Sequence, residues 1–444
     1  MPDYESARHH LSSAEEEKRM PHWIEPLKKN FSLFLIATLF FAGALIALVC
    51  RIPVSRIMHG YSYNVLVILI FMELFTNLIA ETGIMQRTAV KLAERSKGER
   101  RSTLLWFGGL MFVISAFLNN ITAVMIILPV VFVLLKTIDV DKDYVNVFFA
   151  AILAMSNTGG AASPIGDFPA IVIMTSGITS FLGYLFRALP LFSLTAVTLL
   201  VIWRFRVRSV NDDASIRELA IRNLKSQYKN IGVRKDILVC LAVIFVGMFL
   251  AWSFVPPEKL PPEITAVLGY AAAMSICRFK GIPVKLKMDL NPVLTIAAFL
   301  FAAAAVSQTG VLDWIANSLQ DHITNPKALA IVIMLITAVA AGCFSAGPAA
   351  AAMMPIIVSI CNGPLKEQSD LIAVAYAAAI CAGSSLFMWS ATAGFILSGK
   401  INESNLIGED ETPICWGSVQ YLKYGIINFT VQLLIAITAI AILV

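Results

Sequence analysis

The apolar run from Phe148 to Thr175 is long enough to cross a bilayer, yet Ser163-Pro164-Ile165-Gly166-Asp167 interrupts it. Pro164 lacks a backbone donor, and Gly159, Gly160 and Gly166 loosen the helix. Backbone left without helical hydrogen bonds at membrane depth survives only inside protein or along a wet cavity. A carboxylate at a helix centre costs roughly 2.5–3.5 kcal/mol on insertion scales. A broken helix with an acid at the break is how transporters build ion sites.

The rest of the chain supplies the membrane setting. Of its 444 residues, 58% are hydrophobic and 14% charged, against about 25% charged in soluble domains. The fold class is therefore an all-α polytopic membrane protein. The net charge of +5 sits largely in loops, so it speaks to topology and not to nucleic acid. Residues 1–30 are polar and lack the layout of a cleavable signal, which makes Phe31–Cys50 a retained first span. The seven cysteines show no Cys-x-x-Cys spacing, so no metal cluster is expected. All five histidines fall outside the apolar cores, and no His-Glu-x-x-His or Gly-x-Ser-x-Gly pattern occurs. An enzyme is not expected, and no cofactor beyond H+ or Na+ as coupling ion.

An internal repeat organises the chain. Glu81-Thr82-Gly83-Ile84 recurs 227 residues on as Gln308-Thr309-Gly310-Val311. Asn119 through Pro129 recurs as Ser345 through Pro355, and Ser163-Pro164-Ile165-Gly166 aligns with Ser390-Ala391-Thr392-Ala393. Ile84–Arg101 carries Arg87, Lys91, Arg95, Lys97, Arg100 and Arg101, whereas its mate Val311–Pro326 carries no Lys or Arg. Positive charge marks the cytoplasmic side, so the two copies face opposite sides and the repeats are inverted. The basic linker and the loop with Arg278, Lys280, Lys285 and Lys287 also read as cytoplasmic.

The expected path follows. Residues 1–30 form a cytoplasmic segment. Repeat 1 covers 31–204, with a re-entrant hairpin at 103–138 and a broken helix at 146–176. A basic linker, 205–236, and an extra span, 237–255, lead to repeat 2 at 262–444, with a hairpin at 328–362 and a broken helix at 370–399. This gives about nine spans plus two hairpins in an inner (plasma) membrane, N-terminus inside and C-terminus outside. Two ordinary spans in place of hairpin 103–138 is the alternative. The amphipathic pieces 84–101 and 311–325 lie along the interface or serve as plain loops.

The candidate site gathers small polar residues beside the breakers. The first half offers Asn119, Asn120, Thr122, Ser156, Asn157, Thr158, Ser163 and Asp167. The second offers Ser345, Gly347, Ser384, Ser385, Ser390 and Thr392. Freed carbonyls at a break can bind a cation, and helix N-termini an anion. Small residues equally suit tight helix packing. Two adjacent amides, Asn119 and Asn120, need partners in an apolar hairpin. Asp167 either binds H+ or Na+ or caps the half-helix that follows it. Glu73 is a second carboxylate within a span, with a proton-carrying or a structural role. A Na+ is expected near Asn120, Asn157 and Asp167. Arg187 and Lys400 read as snorkelling residues near span ends.

Ser115-Ala116-Phe117-Leu118-Asn119-Asn120-Ile121-Thr122-Ala123-Val124-Met125, with Pro129 and then Ser156 through Asp167, resembles the ion transporter superfamily. That group joins arsenite permeases, sodium–proton antiporters, pigment-cell P-protein permeases and divalent-anion symporters. The resemblance implies a homodimer with scaffold and transport domains that move as an elevator, and a site between two hairpin tips and two broken helices. Divalent-anion symporters carry Ser-Asn-Thr at both tips, where this chain has Asn119-Asn120-Ile121 and Ser345-Ala346-Gly347. Asp167 also stands where those symporters tend to have threonine. The arsenite-permease branch fits better. The expected function is an ion-coupled secondary transporter of a small inorganic or oxyanion-type solute. Na+/H+ exchange and carboxylate or organic-anion transport are the alternatives. Its partners are the solute, the coupling ion and the bilayer.

Overall fold

The computed structural model describes residues 31–137, 140–208, 214–229, 232–281, 290–363, 365–404, 406–408 and 412–443. The N-terminal segment 1–30, residues 209–213 and 230–231 of the basic linker, and Lys285 and Lys287 lie outside them. The described residues form nineteen α-helices and two 3-10 turns. Five helices are long and apolar enough to cross a membrane singly, and up to seven spans result if each bent helix pair is one span. The protein is a multi-pass helical membrane protein. Residue contacts divide it into two compact units.

One unit comprises Met1–Tyr61 and Asp289–Thr309. Its helices are α1 (Phe31–Val49), α2 (Val54–Gly60) and α13 (Leu290–Ser307). Gly43 is the point of closest approach: a Cβ there would lie 2.8 Å from the Phe301 ring. Phe40 meets the same ring at 5.5 Å.

The other unit holds the remaining helices. In chain order they begin with α3 (Tyr63–Glu81), α4 (Ile84–Ser96), α5 (Arg100–Ser115), α6 (Asn120–Thr137), α7 (Lys142–Ala161) and α8 (Phe168–Thr175). Next come α9 (Phe181–Arg206), α10 (Ala214–Tyr228), α11 (Lys235–Phe254) and α12 (Pro262–Phe279). The last are α14 (Val311–His322), α15 (Pro326–Phe344), α16 (Ala346–Asn362), α17 (Ser369–Ser384), α18 (Gly394–Glu403) and α19 (Ser418–Leu443). Capping sets many of these boundaries. Asp141 accepts from Tyr144 N–H at 2.6 Å to start α7, and Asn325 caps α15 ahead of Pro326. Gly83 and Gly310 precede α4 and α14 at φ 73° and 77°, a left-handed turn that glycine adopts without a Cβ clash.

Two helices are buried all round, as a helix at the centre of a bundle must be. In α7 every residue from Tyr144 to Gly160 is buried except Asn146. In α17 the run Ile372–Ser384 is buried without a gap. Phe107, Phe148, Phe149, Trp203, Trp416 and Tyr424 fill the core around α7. The linker is more than a tether. Ala220 and Leu224 of α10 are fully buried in that same core, so part of the basic segment packs as a helix against the first half.

Candidate functional site

Two short helix interruptions build the first half of the site. Between α5 and α6 the chain turns at Ala116–Asn119, and Asn119 Oδ1 accepts from Ile121 N–H at 2.9 Å, capping α6. Between α7 and α8 it unwinds through 162–167. Ser163 Oγ donates to the carbonyl of Ala116, so the second interruption is tied to the first. Tyr184 Oη donates to the carbonyl of Ala161 at 2.7 Å, occupying an acceptor that the break frees. Glycines allow the approach. A Cβ on Gly160 would lie 2.8 Å from Asn120 Oδ1 and 2.9 Å from Asp167 Cβ.

Asp167 sits where these segments meet, 9% exposed. Its Oδ1 accepts from Phe168 N–H at 2.8 Å, capping α8, and its Oδ2 accepts from Asn120 Nδ2 at 2.8 Å. Asn120 is fully buried, and its Oδ1 has no hydrogen-bond partner among the described residues. An acid oxygen and an unused amide oxygen therefore lie together, the donor type that hard cations take. A cavity of about 20 Å³ adjoins Asp167, lined also by Glu73, Thr76, Asn119 and Gly166 among others. It is large enough for one water-sized guest. Glu73 thus shares a cavity with Asp167.

The second half closes on this point. α8 packs against α16, and a Cβ on Gly347 would lie 3.2 Å from the Phe168 ring. Ser345, which opens α16, holds φ 83° and ψ 158°, a region glycine favours. Neither Ser345 at α16 nor Ala393 at α18 supplies a side-chain cap.

The other expected residues separate from Asp167. Asn157 turns to the second break: its Nδ2 donates to Ser384 O at 3.3 Å and Ser385 Oγ at 3.1 Å. Thr158 Oγ1 donates to Ala154 O at 2.7 Å, within its own helix. Ser156 is buried, and its Oγ has no hydrogen-bond partner among the described residues. Ser390 Oγ donates to carbonyls of its own break, with Phe387 O at 2.7 Å. Thr122 and Thr392 are half-buried. Arg187 is paired as well as exposed, 2.9 Å from Asp370, and Lys400 pairs with Glu403 at 2.7 Å.

Three residues of α19 went unread in the sequence. Gln432 Nε2 donates to Ser385 Oγ at 3.2 Å, Tyr421 Oη donates to Ser385 O at 2.7 Å, and Asn428 accepts from Trp203 Nε1 at 3.0 Å. The signal was their placement on one face of an apolar helix. Polar groups there need internal partners.

The profile of the CitMHS family, described as a citrate transporter, matches residues 24–381 and 254–444. The chain belongs to the CitMHS family. CitMHS membership makes it a transporter and not an enzyme. An uncharacterized transporter of Mycobacterium tuberculosis is 22% identical over 346 residues, covering 77% of this chain and 78% of its own. The magnetosome protein MamN of Paramagnetospirillum magneticum is 24% identical over 401 residues, 88% of this chain and 89% of its own. The P protein of Sus scrofa is 20% identical over 442 residues, 82% of this chain and 52% of its own.

Proposed function

We propose that this CitMHS-family chain is a cation-coupled carrier of a small, oxygen-rich anion, with H+ or Na+ held at Asn120 and Asp167. The observation that carries the reading is the buried Asp167 carboxylate at a helix break, beside an amide oxygen with no other described partner. The N-terminus of α8 is capped by the Asp167 carboxylate, and that of α6 by the neutral Asn119 amide. A solute anion finds both occupied. The N-termini of α16 and α18 have no side-chain cap, so their N–H groups and dipoles suit the anion. Ser345, Gly347 and Thr392 lie beside those ends. An arsenite-like oxyanion and a carboxylate share this chemistry, and the family's description brings citrate forward. Na+/H+ exchange is the second reading, supported by the same buried carboxylate.

The transport cycle we infer is an elevator in a homodimer with two inverted repeats. Matching features support the repeat: left-handed glycines before α4 and α14, internal Pro129 and Pro355 in α6 and α16, and long buried runs in α7 and α17 ahead of each break. Nine spans, two hairpins, a cytoplasmic N-terminus and an external C-terminus complete the proposal.

The test is reconstitution into vesicles with a trapped pH dye, clamped potential and labelled sodium, pulsed with citrate, arsenite or Na+. Citrate or arsenite entry that carries protons or sodium supports the main reading. Na+ that moves protons without solute selects exchange. Absence of cation movement in every arm, with protein shown to be folded and inserted, overturns the coupling.

A further inference from the structure

A second cavity lies at the opposite end of α7 from Asp167 and has the opposite chemistry. It measures about 790 Å³ and is bounded by the starts of α5, α7 and α19 and the end of α9. Five cations line it, namely Arg100, Lys142, Arg206, Arg208 and Lys423, against the carboxylates of Asp141 and Asp143. The carboxylates are already engaged. Arg100 Nη1 lies 2.6 Å from Asp141, and Lys423 Nζ lies 3.4 Å from Asp143 while standing 4.7 Å from the Tyr424 ring centre. Arg206 and Arg208 are exposed and have no carboxylate partner among the described residues. Phe205, beside them, is 78% exposed.

The same unit offers an internal control. A cavity of about 610 Å³ lies against the start of α17, the start of α9 and the end of α19. In the repeat it corresponds to the first cavity, since Asp370 stands 227 residues after Asp143. Its charges are Arg187 against Glu367 and Asp370, with apolar walls including Phe186 and Leu191. The shared frame therefore makes a cavity in both places, and the cationic lining is particular to one. Basic loops on one side of a membrane are common. Four separate elements converging their charges on one cavity form a cradle. Guanidinium forks match phosphate oxygens in pairs.

We propose that the cavity between α5, α7, α9 and α19 binds a phosphate-bearing anion, held by Arg206, Arg208 and Lys423, with an anionic phospholipid headgroup or soluble phosphate as its source.

The test uses the full-length, delipidated protein. Native mass spectrometry measures binding of phosphatidylglycerol and phosphatidylcholine, and thermal unfolding is followed in inorganic phosphate against chloride at equal ionic strength. The variant R206Q/R208Q removes two exposed cations, and R187Q is the matched control in the other cavity. Phosphatidylglycerol should bind in preference to phosphatidylcholine, and R206Q/R208Q should weaken it by about tenfold or more, from roughly 1 kcal/mol per basic residue at a charged surface. R187Q should leave it unchanged. Stabilisation by inorganic phosphate alone, lost in R206Q/R208Q, supports the site with a soluble source. Equal binding of both lipids without a phosphate effect, or wild-type behaviour of R206Q/R208Q in both assays, overturns the proposal.

Discussion

In the first half, the break between α7 and α8 is closed from within. Asp167 caps its own half-helix, Asn120 reaches across from α6, and Ser163 ties the break to the turn before α6. In the second half, the same register places Gly394 where Asp167 stood and Ser390 where Ser163 stood. Ser390 bonds back into its own loop, and α18 begins without a side-chain cap. One break is capped by a buried carboxylate, and the other has no side-chain cap. In the proposed cycle the two halves therefore take ions of opposite sign. The asymmetry rests on a few side chains, so it can be tested one residue at a time.

The largest effect should come from Gly160→Ala. Alanine gains about 1 kcal/mol of helix propensity over glycine. The added Cβ, however, would lie 2.8 Å from Asn120 Oδ1 and 2.9 Å from Asp167 Cβ, forcing the pair apart. Transport in vesicles should fall to the protein-free background. Gly347→Ala, whose Cβ meets only the edge of the Phe168 ring at 3.2 Å, should cost a few-fold, on the order of 1 kcal/mol. Equal losses would erase the distinction between the halves.

Asn120→Ala comes next. It leaves Asp167 with one hydrogen bond fewer and removes an oxygen from the cation site. The cation concentration for half-maximal transport should rise about tenfold, with stability lower by roughly 1–3 kcal/mol. An unchanged cation dependence would remove Asn120 from the site.

Ser385→Ala separates binding from architecture. Ser385 Oγ accepts from both Asn157 and Gln432, so its loss strands the buried Gln432 amide and leaves Asn157 only the Ser384 carbonyl. Thermal unfolding should show a loss of roughly 1–3 kcal/mol, with cation dependence intact. A shift in cation dependence without destabilisation would place Ser385 in the ion site instead.

The smallest effect belongs to Ser345→Gly. At φ 83° the serine backbone is strained, and glycine should relieve about 1 kcal/mol, read as a higher unfolding temperature. No gain would mean that the serine side chain stabilises the tip by as much.

Much of the frame was legible because hydropathy and breakers mark helix ends directly. The broken segments read at 146–176 and 370–399 correspond to α7–α8 and α17–α18. Helix α10 was not legible: its exposed face of Glu218, Arg222, Asn223, Lys225 and Gln227 conceals two core residues, Ala220 and Leu224. The partners of Asp167 were half legible. Asn120 and Asp167 were both singled out, but the hydrogen bond joining them spans 47 residues and depends on how two breaks pack. Asn157 was expected beside Asp167 and instead meets Ser384, its own counterpart 227 residues away. Sequence places residues near a break. Which way each one turns follows from the crossing of α7 and α17, which no local pattern encodes.

In the proposed cycle Asp167 holds the coupling cation while the second half holds the solute. Asp167→Asn tests it, because asparagine caps helices about as well as aspartate and should preserve the fold. The measurement compares gradient-driven accumulation with counterflow of labelled citrate in the same reconstituted vesicles. The variant should lose accumulation and keep counterflow, since exchange of solute for solute needs no net cation movement. Accumulation at the wild-type level, or loss of counterflow in folded protein, would contradict the assignment.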